Sequence, residues 1–399
     1  MKKVKLYIKT PILILCLILS LTQFKNNVKG EENTSVLKET DVDAKGAILI
    51  DYETGRVLWE KNSDEPLAMA STTKIMTAIT AIEKGNLSDT VTASKRAASA
   101  PPTKMKLSEG EKITLKNLLY ALMLQSSNDA AVAIAEHIGG SVENFCAEMT
   151  KKAKDLGAKD TVFKTPNGLD LEDHHSTAYD MALIARYALK NETFREIINT
   201  RAVSFQSDKK SYSITNKNRL LSEFSGANGV KTGFTGKAGH CFVGSAKQGD
   251  LWLISTVLAS GWGSKGKEQK WIDTKKILTY GFNNYEYQTP LTKNQLMGEI
   301  PVKKSNETTM RLLLKDGLKV CIKKDGTETV NVIKKIPAEL TAPIKQGEKI
   351  GTAEIYINTS LIKRIDIIAE KTVEKKTFSD YLKDIVKFWA TENSLPIKW

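Results

Sequence analysis

The order in which hydrophobic periodicities follow one another along the chain limits its fold more than any other feature. "KGAILIDYETGRVLWEKN" (45–62) holds two alternating apolar runs around Glu53-Thr54-Gly55 and reads as a β-hairpin. Helical spacing then dominates. It runs through "PLAMASTTKIMTAITAIE" (66–83), "ITLKNLLYALMLQ" (113–125), "DAAVAIAEHIGG" (129–140) and "STAYDMALIARYALKN" (176–191). Strand-like runs return at 230–232, 241–246 and 251–258, and "KEQKWIDTKKILTYGF" (267–282) closes the block as a helix. A lone hairpin cannot bury its apolar face, so it must join the later strands across the helical stretch. This order predicts an α+β fold with an antiparallel sheet sandwiched by helices.

Beyond residue 290 the texture changes. "TMRLLLKDGLKVCIKKDGTETVNVIKKI" (309–336) alternates around Asp316-Gly317 and Asp325-Gly326, two hairpin-turn signals. A small all-β domain is expected over 293–372, after a main domain over 36–288. From 376 to 395, Phe378, Tyr381, Leu382, Ile385 and Trp389 recur at spacings of three and four. Lys376, Lys383 and Lys387 lie on or near the flanks. Such a segment is too short to span a bilayer and is expected to lie on its surface as an amphipathic helix.

Residues 1–30 read as an export signal. Lys2, Lys3, Lys5 and Lys9 precede "PILILCLILSL" (11–21), an apolar run well short of the roughly 20 residues a spanning helix needs. The chain is therefore expected outside the cytoplasm. Removing the six lysines of residues 1–30 lowers the formal net charge from +13 to +7. The remaining lysines are dispersed, which suits an anionic surface and speaks against nucleic acid. Cys146, Cys241 and Cys321 are too few and too odd in number for a disulfide framework. His174 and His175 are adjacent and lack the spacing of a metal site, so a polar loop ahead of a helix is expected there, and no metal or cofactor. His240 is expected to border the cleft or the surface.

Chemistry enters at Ser71 and Lys74. Ser-x-x-Lys occurs five times in the chain, but only this pair opens a long apolar helix. Three residues of helix put both side chains on one face. A lysine deprived of water has a depressed pKa and can take the serine proton, making Ser71 a nucleophile and Lys74 its base. "QSSNDAA" places Ser126 and Asn128 at a break between two helices, where one can relay a proton and the other hold an amide. "GVKTGFTGKAGHCF" puts Lys231, Thr232 and Gly233 on a strand. Charge and hydroxyl there can bind a carboxylate, and the missing side chain of Gly233 lets a peptide approach the strand edge.

The three motifs, in this order, resemble the active site of the penicillin-binding and serine β-lactamase superfamily. "LMLQSSNDAA", "FKTPNGLDLEDHHSTAYDMALIARYAL" and "GVKTGFTGKAGHC" narrow the resemblance to the low-molecular-mass D-alanyl-D-alanine carboxypeptidases of peptidase family S11 type. It implies that fold with a small C-terminal all-β domain and an amphipathic tail. It also implies removal of the terminal D-alanine from peptidoglycan pentapeptide stems, and acylation by β-lactams. Ser71 and Lys74 correspond to nucleophile and base, Ser126 and Asn128 to proton relay and substrate clamp. Lys231, Thr232 and Gly233 correspond to the carboxylate-receiving strand, and the oxyanion hole to the N–H groups of Ser71 and Thr235. A β-lactamase of class A needs Glu-x-x-x-Asn between the second and third motifs, and none lies between 140 and 200. A non-catalytic wall-binding protein would have lost one of Ser71, Lys74 or Lys231. An endopeptidase acting on cross-links would use the same residues.

Overall fold

The computed structural model describes residues 36–392, with side chains to residue 390. The expected export signal lies outside the described residues. The opening hairpin forms as β1 (Gly46–Asp51) and β2 (Val57–Lys61). Asp51 builds its turn by accepting from the Thr54 and Arg56 backbone N–H groups, at 2.9 Å each. β1 then pairs antiparallel with β5 (Leu251–Leu258), far along the chain. With β3 (Ala227–Thr235) and β4 (Gly239–Gln248), these strands make one antiparallel sheet in the order β2-β1-β5-β4-β3. β3 is an edge strand, with one edge left unpaired.

Both faces of this sheet are covered. Successive residues of a strand point to opposite faces, and here each set enters its own core. Ile48, Ile50, Cys241, Val243 and Ile254 join the helical block. That block is built from α1 (Lys74–Lys84), α2 (Asn128–Gly139), α3 (Val142–Asp155) and α4 (Ala178–Ala188). Ala47, Leu49, Phe242, Leu253 and Val257 pack instead against Trp271, Ile277 and Leu278 of α5 (Gly263–Asn284). This explains why β1 is buried at all six positions. Residues on both faces of the strand can be apolar because neither face meets water.

Eight further strands follow: β6 (Tyr285–Leu291), β7 (Leu296–Lys303), β8 (Thr309–Leu314), β9 (Leu318–Lys323), β10 (Val330–Lys335), β11 (Leu340–Thr341), β12 (Lys349–Ile357) and β13 (Ser360–Ala369). They surround a core of their own that includes Met310, Leu312, Val320, Ile355 and Ile367. The two Asp-Gly hairpins expected here do not form. β8 pairs with β7 and β13, β9 pairs with β6, and β10 pairs with β12. Strands flanking each Asp-Gly step thus lie in different sheets. Alternation fixes which face of a strand is buried but not which strand lies beside it, and these segments cross from one layer to the other.

The turn of the opening hairpin also ties the two cores together. Arg56 pairs with Glu328 and donates to the Cys321 carbonyl at 2.6 Å. Tyr285 donates to the Leu58 carbonyl at 2.8 Å. From the other side, Arg186 of α4 donates to the Tyr52 carbonyl at 2.6 Å. The last described element is α6 (Phe378–Glu392).

Candidate active site

Ser71 does not open an α-helix. It sits in a single 3-10 turn, Ala70–Thr73, and α1 begins at Lys74. Ala70 has φ +49°, a left-handed conformation that helical geometry excludes and that costs a non-glycine residue of order 1 kcal/mol or more. The surroundings hold it there. Thr73 Oγ1 donates to the Ala70 carbonyl at 2.8 Å and Thr72 Oγ1 to that of Met69 at 2.6 Å. Two glycines close on the turn. A Cβ at Gly168 would lie 2.0 Å from the Ala70 carbonyl oxygen, and one at Gly233 would lie 2.9 Å from the Ser71 nitrogen. Gly233 is therefore needed to let β3 pack against the Ser71 turn itself, a tighter constraint than room for a peptide.

Lys74 is fully buried. Its Nζ lies 2.9 Å from Ser71 Oγ, 2.8 Å from Asn128 Oδ1 and 2.5 Å from the Asn167 carbonyl. The Asn128 amide is oriented by its other end, whose Nδ2 donates to the Pro101 and Pro102 carbonyls at 3.1 Å each. Nζ thus faces neutral oxygens and no carboxylate. Burial, together with the nearby Lys231 charge, pushes the Lys74 pKa well below its ordinary 10.5. A neutral amine fits these neighbours in full. Two N–H bonds go to Asn128 and Asn167, and the lone pair receives the Ser71 O–H. That is the arrangement of a general base poised on its nucleophile.

Ser126 ends a π-helical turn over Ala121–Gln125 and takes φ +70°, so the chain breaks there as its sequence foretold. It lines the same 330 Å³ cleft as Ser71, Thr232 and Gly233, but is not among the three neighbours of Lys74 Nζ. Lys231 is 2% exposed and donates to the Thr232 carbonyl at 2.9 Å. Burial and the Lys217 charge lower its pKa to about 7. Its charge is present below that pH and lost above it, and a carboxylate beside it would favour the charged form.

The strand register corrects the expectation for Thr235. His240 N–H donates to the Gly261 carbonyl, and His240 C=O accepts from Ser260 N–H, so both point away from β3. One step of alternation later, Lys247 N–H reaches back to Gly226 at the start of β3. Phe234 stands opposite His240, and Thr235 opposite Gly239. The backbone N–H of Phe234 therefore projects from the free edge toward the cleft, while that of Thr235 turns inward to β4. The Thr235 hydroxyl is engaged as well, donating to Asp170 Oδ1 at 2.8 Å. Of these two N–H groups, that of Phe234 is the one on the cleft side of the strand.

Sequence reasoning gave no individual role to Asn167, Gly168, His174 or Lys217. His174 is buried, not a loop histidine in water. Its Nδ1 accepts from the Lys164 N–H at 3.0 Å, so Nε2 carries the ring proton and donates to Thr73 Oγ1 at 3.0 Å. Thr73 in turn holds the Ala70 carbonyl. Burial pushes the imidazole pKa down to about 4, which keeps this tautomer at neutral pH. Lys217 lines the cleft beside Ser126 and Thr232. Only the Asn-Gly step at 167–168 carried a local signal, that of a turn. A larger cavity of 1020 Å³ beside α3 shares Asn167 and lacks Ser71.

Known proteins place this site in context. A family model described as D-alanyl-D-alanine carboxypeptidase matches residues 32–261. The chain belongs to the D-alanyl-D-alanine carboxypeptidase family. A second model, described as the C-terminal domain of penicillin-binding protein 5, matches residues 285–375. D-alanyl-D-alanine carboxypeptidase DacF of Bacillus subtilis is 37% identical over 87% of this chain and 90% of its own length. DacC of Escherichia coli is 34% identical over 86% and 88%. Among solved structures, penicillin-binding protein 5 of Haemophilus influenzae matches at TM-score 0.72 and 28% identity, covering 85% of this chain and all of that one. A serine-to-alanine mutant of the Streptomyces K15 DD-transpeptidase matches at TM-score 0.57 and 35% identity, covering 60% of this chain and 98% of that one. The family fold is the helix-covered sheet with its C-terminal β region.

Gly233→Ala tests the packing of β3 on the nucleophile turn. Because the clash is with backbone, acylation of Ser71 by a penicillin should slow by about 100-fold in a variant that still folds. Unchanged acylation would contradict the close-approach requirement.

Proposed function

We propose that this chain is a serine-type D-alanyl-D-alanine carboxypeptidase that removes the terminal D-alanine from peptidoglycan pentapeptide stems through an ester on Ser71. Family membership supports the activity. The observation that carries the residue assignment is the environment of Lys74: a buried amine with two acceptors, a serine hydroxyl and no counter-ion.

In this mechanism Lys74 takes the Ser71 proton as Oγ attacks the carbonyl of the penultimate D-alanine. The oxyanion is received by the N–H groups of Ser71 and Phe234. Asn128, already fixed by Pro101 and Pro102, holds the substrate amide beside Lys74. Lys231, Thr232 and the neighbouring Lys217 receive the terminal carboxylate. As the C–N bond breaks, the leaving D-alanine amine takes its proton from Lys74, with Ser126 as the relay. Water then cleaves the Ser71 ester by the same base, returning the proton to Oγ. A β-lactam carries a carboxylate and a strained amide in the same relation, so it acylates Ser71, and its ring remnant blocks water. An endopeptidase acting on cross-linked stems would use these groups unchanged.

The wider organisation belongs to the same reading. Residues 36–288 form the catalytic domain and 293–372 a β domain that holds it off the membrane. The signal over 1–30 exports the chain, and the segment 376–395 lies on the outer face of the cytoplasmic membrane. Supporting the last point, Phe378, Leu382, Ile385, Val386 and Trp389 of α6 are all more than half exposed. Its 15 residues measure about 22 Å, short of a bilayer core, and no described helix is long and apolar enough to cross a membrane.

Ser71→Ala should abolish both labelling by a fluorescent penicillin and the loss of one alanine from a pentapeptide, read by mass spectrometry. Retained labelling would remove Ser71 from its role, and cleavage of cross-linked dimers in place of pentapeptide would favour the endopeptidase. Deleting residues 376–399 should release active enzyme from membranes into the soluble fraction. Continued sedimentation with membranes would contradict the surface-anchor role.

A further inference from the structure

The 1020 Å³ cavity beside α3 is about three times the volume of the Ser71 cleft, at the upper end of the range for small-molecule sites. Its floor is apolar. Val132 of α2, Val142 and Cys146 of α3, and Phe163 of the loop ahead of α4 line it, each less than one-tenth exposed. Val142, Cys146, Thr150 and Lys154 follow one another at intervals of four, so one face of α3 runs the length of the cavity. Val142 and Lys154 are about 18 Å apart along the helix axis, at 1.5 Å per residue. The site is long enough for a linear chain.

The charges are sorted along that length. Glu143 is the one carboxylate among the lining residues, and Arg96 neutralises it at 2.9 Å beside Val142. The other half of α3 brings Lys151 and Lys154. Lys164 joins them from the facing loop, since its neighbour Phe163 donates its N–H to Thr150 Oγ1 at 2.9 Å. Lys151 pairs with Asp155. Among the described residues, Lys154 and Lys164 have no carboxylate within ion-pair distance. An apolar trough with uncompensated positive charge at one end complements an amphiphile with an anionic head. Lys154 lies in the last turn of α3, where the partial negative charge of the helix end disfavours a doubly charged head and leaves a monoanion.

The cavity also touches the machinery around Lys74. Asn167, whose carbonyl accepts from Lys74 Nζ at 2.5 Å, and Pro101, whose carbonyl accepts from Asn128 Nδ2 at 3.1 Å, both line it. Atoms beside a void lack dispersion partners on that side, so a chain filling it would restrict these walls. We propose that the cavity binds a long-chain carboxylate, with the chain along α3 and the head at Lys154 and Lys164, and that the bound chain braces the walls of the Lys74 pocket. The binding is independent of the carboxypeptidase reading, whereas the bracing rests on it through Lys74.

Decanoate, titrated into the purified full chain by calorimetry, tests this. A Kd of about 50 μM is expected, with decan-1-ol about fivefold weaker. Because α6 also exposes apolar side chains, variants of the cavity locate the site. Ala147 lines it and is exposed, so a larger side chain there fills the trough without entering the core. Ala147→Trp should weaken decanoate binding about tenfold, and Lys154→Gln about fivefold. Saturating decanoate should raise the rate of Ser71 acylation by a penicillin about threefold in the wild type, and leave that of Ala147→Trp unchanged. No binding below about 1 mM, or binding that survives both substitutions, would overturn the site. Decan-1-ol binding as tightly as decanoate would overturn the carboxylate head, and binding without a change in acylation would overturn the bracing. A protein that binds decanoate yet is never acylated would instead overturn the carboxypeptidase reading and leave the site standing.

Discussion

One buried amine organises this molecule. Lys74 lies at the start of α1, inside a helical core, with only neutral oxygens in hydrogen-bond contact with its amine. An ammonium held there without a counter-ion would weigh against folding by several kcal/mol, whereas an uncharged amine has every N–H and its lone pair engaged. Much of the surrounding architecture serves that pocket. α2 delivers Asn128, the loop ahead of α4 delivers the Asn167 carbonyl, and the core of α1 keeps water out. In the proposed mechanism, removing the lysine's charge is what lets it act as a base, so the packing that stabilises the domain would also set the chemistry.

The nucleophile is held by a second, equally local arrangement. Ala70 adopts a left-handed backbone so that Ser71 faces the cleft. Its carbonyl is fixed by Thr73, and Thr73 by the neutral imidazole of His174. Gly168 and Gly233 close on the turn from the loop and from β3. On β3 the electrostatics invert. In the proposed mechanism Lys74 is neutral whereas Lys231 is charged to hold a carboxylate, and its pKa of about 7 leaves it responsive to what binds. Two lysines near one serine thus differ because one has its acceptors and hydroxyl already in place, and the other awaits an anion.

Much of this was legible in the residues. Apolar stripes marked α1, α2 and α4, and the strand–helix–strand order predicted the antiparallel sheet with helices on both faces. Residues of all three motifs come together at one cleft, which Ser71, Ser126, Thr232 and Gly233 line, while Lys74 reaches Asn128 behind it. What escaped depends on parity and long-range contact. Whether Phe234 or Thr235 aims its N–H at the cleft turns on a one-residue register that the hairpin with β4 decides. Asn167 contributes through its carbonyl, an atom every residue has, so its identity carried no signal. His174 looked like a loop residue because its partner, Thr73, is about a hundred residues earlier. In the β region, Asp-Gly turns marked where strands end, while pairing was set by how two layers share one core.

The central claim is that Lys74 carries no charge when the free enzyme meets its substrate. Nuclear magnetic resonance of protein with isotope-labelled lysine side chains tests it directly, with the Lys74 signal assigned by its loss in Lys74→Arg. The account predicts a titration midpoint well below the ordinary lysine value of 10.5, and a neutral-amine chemical shift at mildly alkaline pH. A Lys74 that stays an ammonium up to or beyond 10.5 would contradict it.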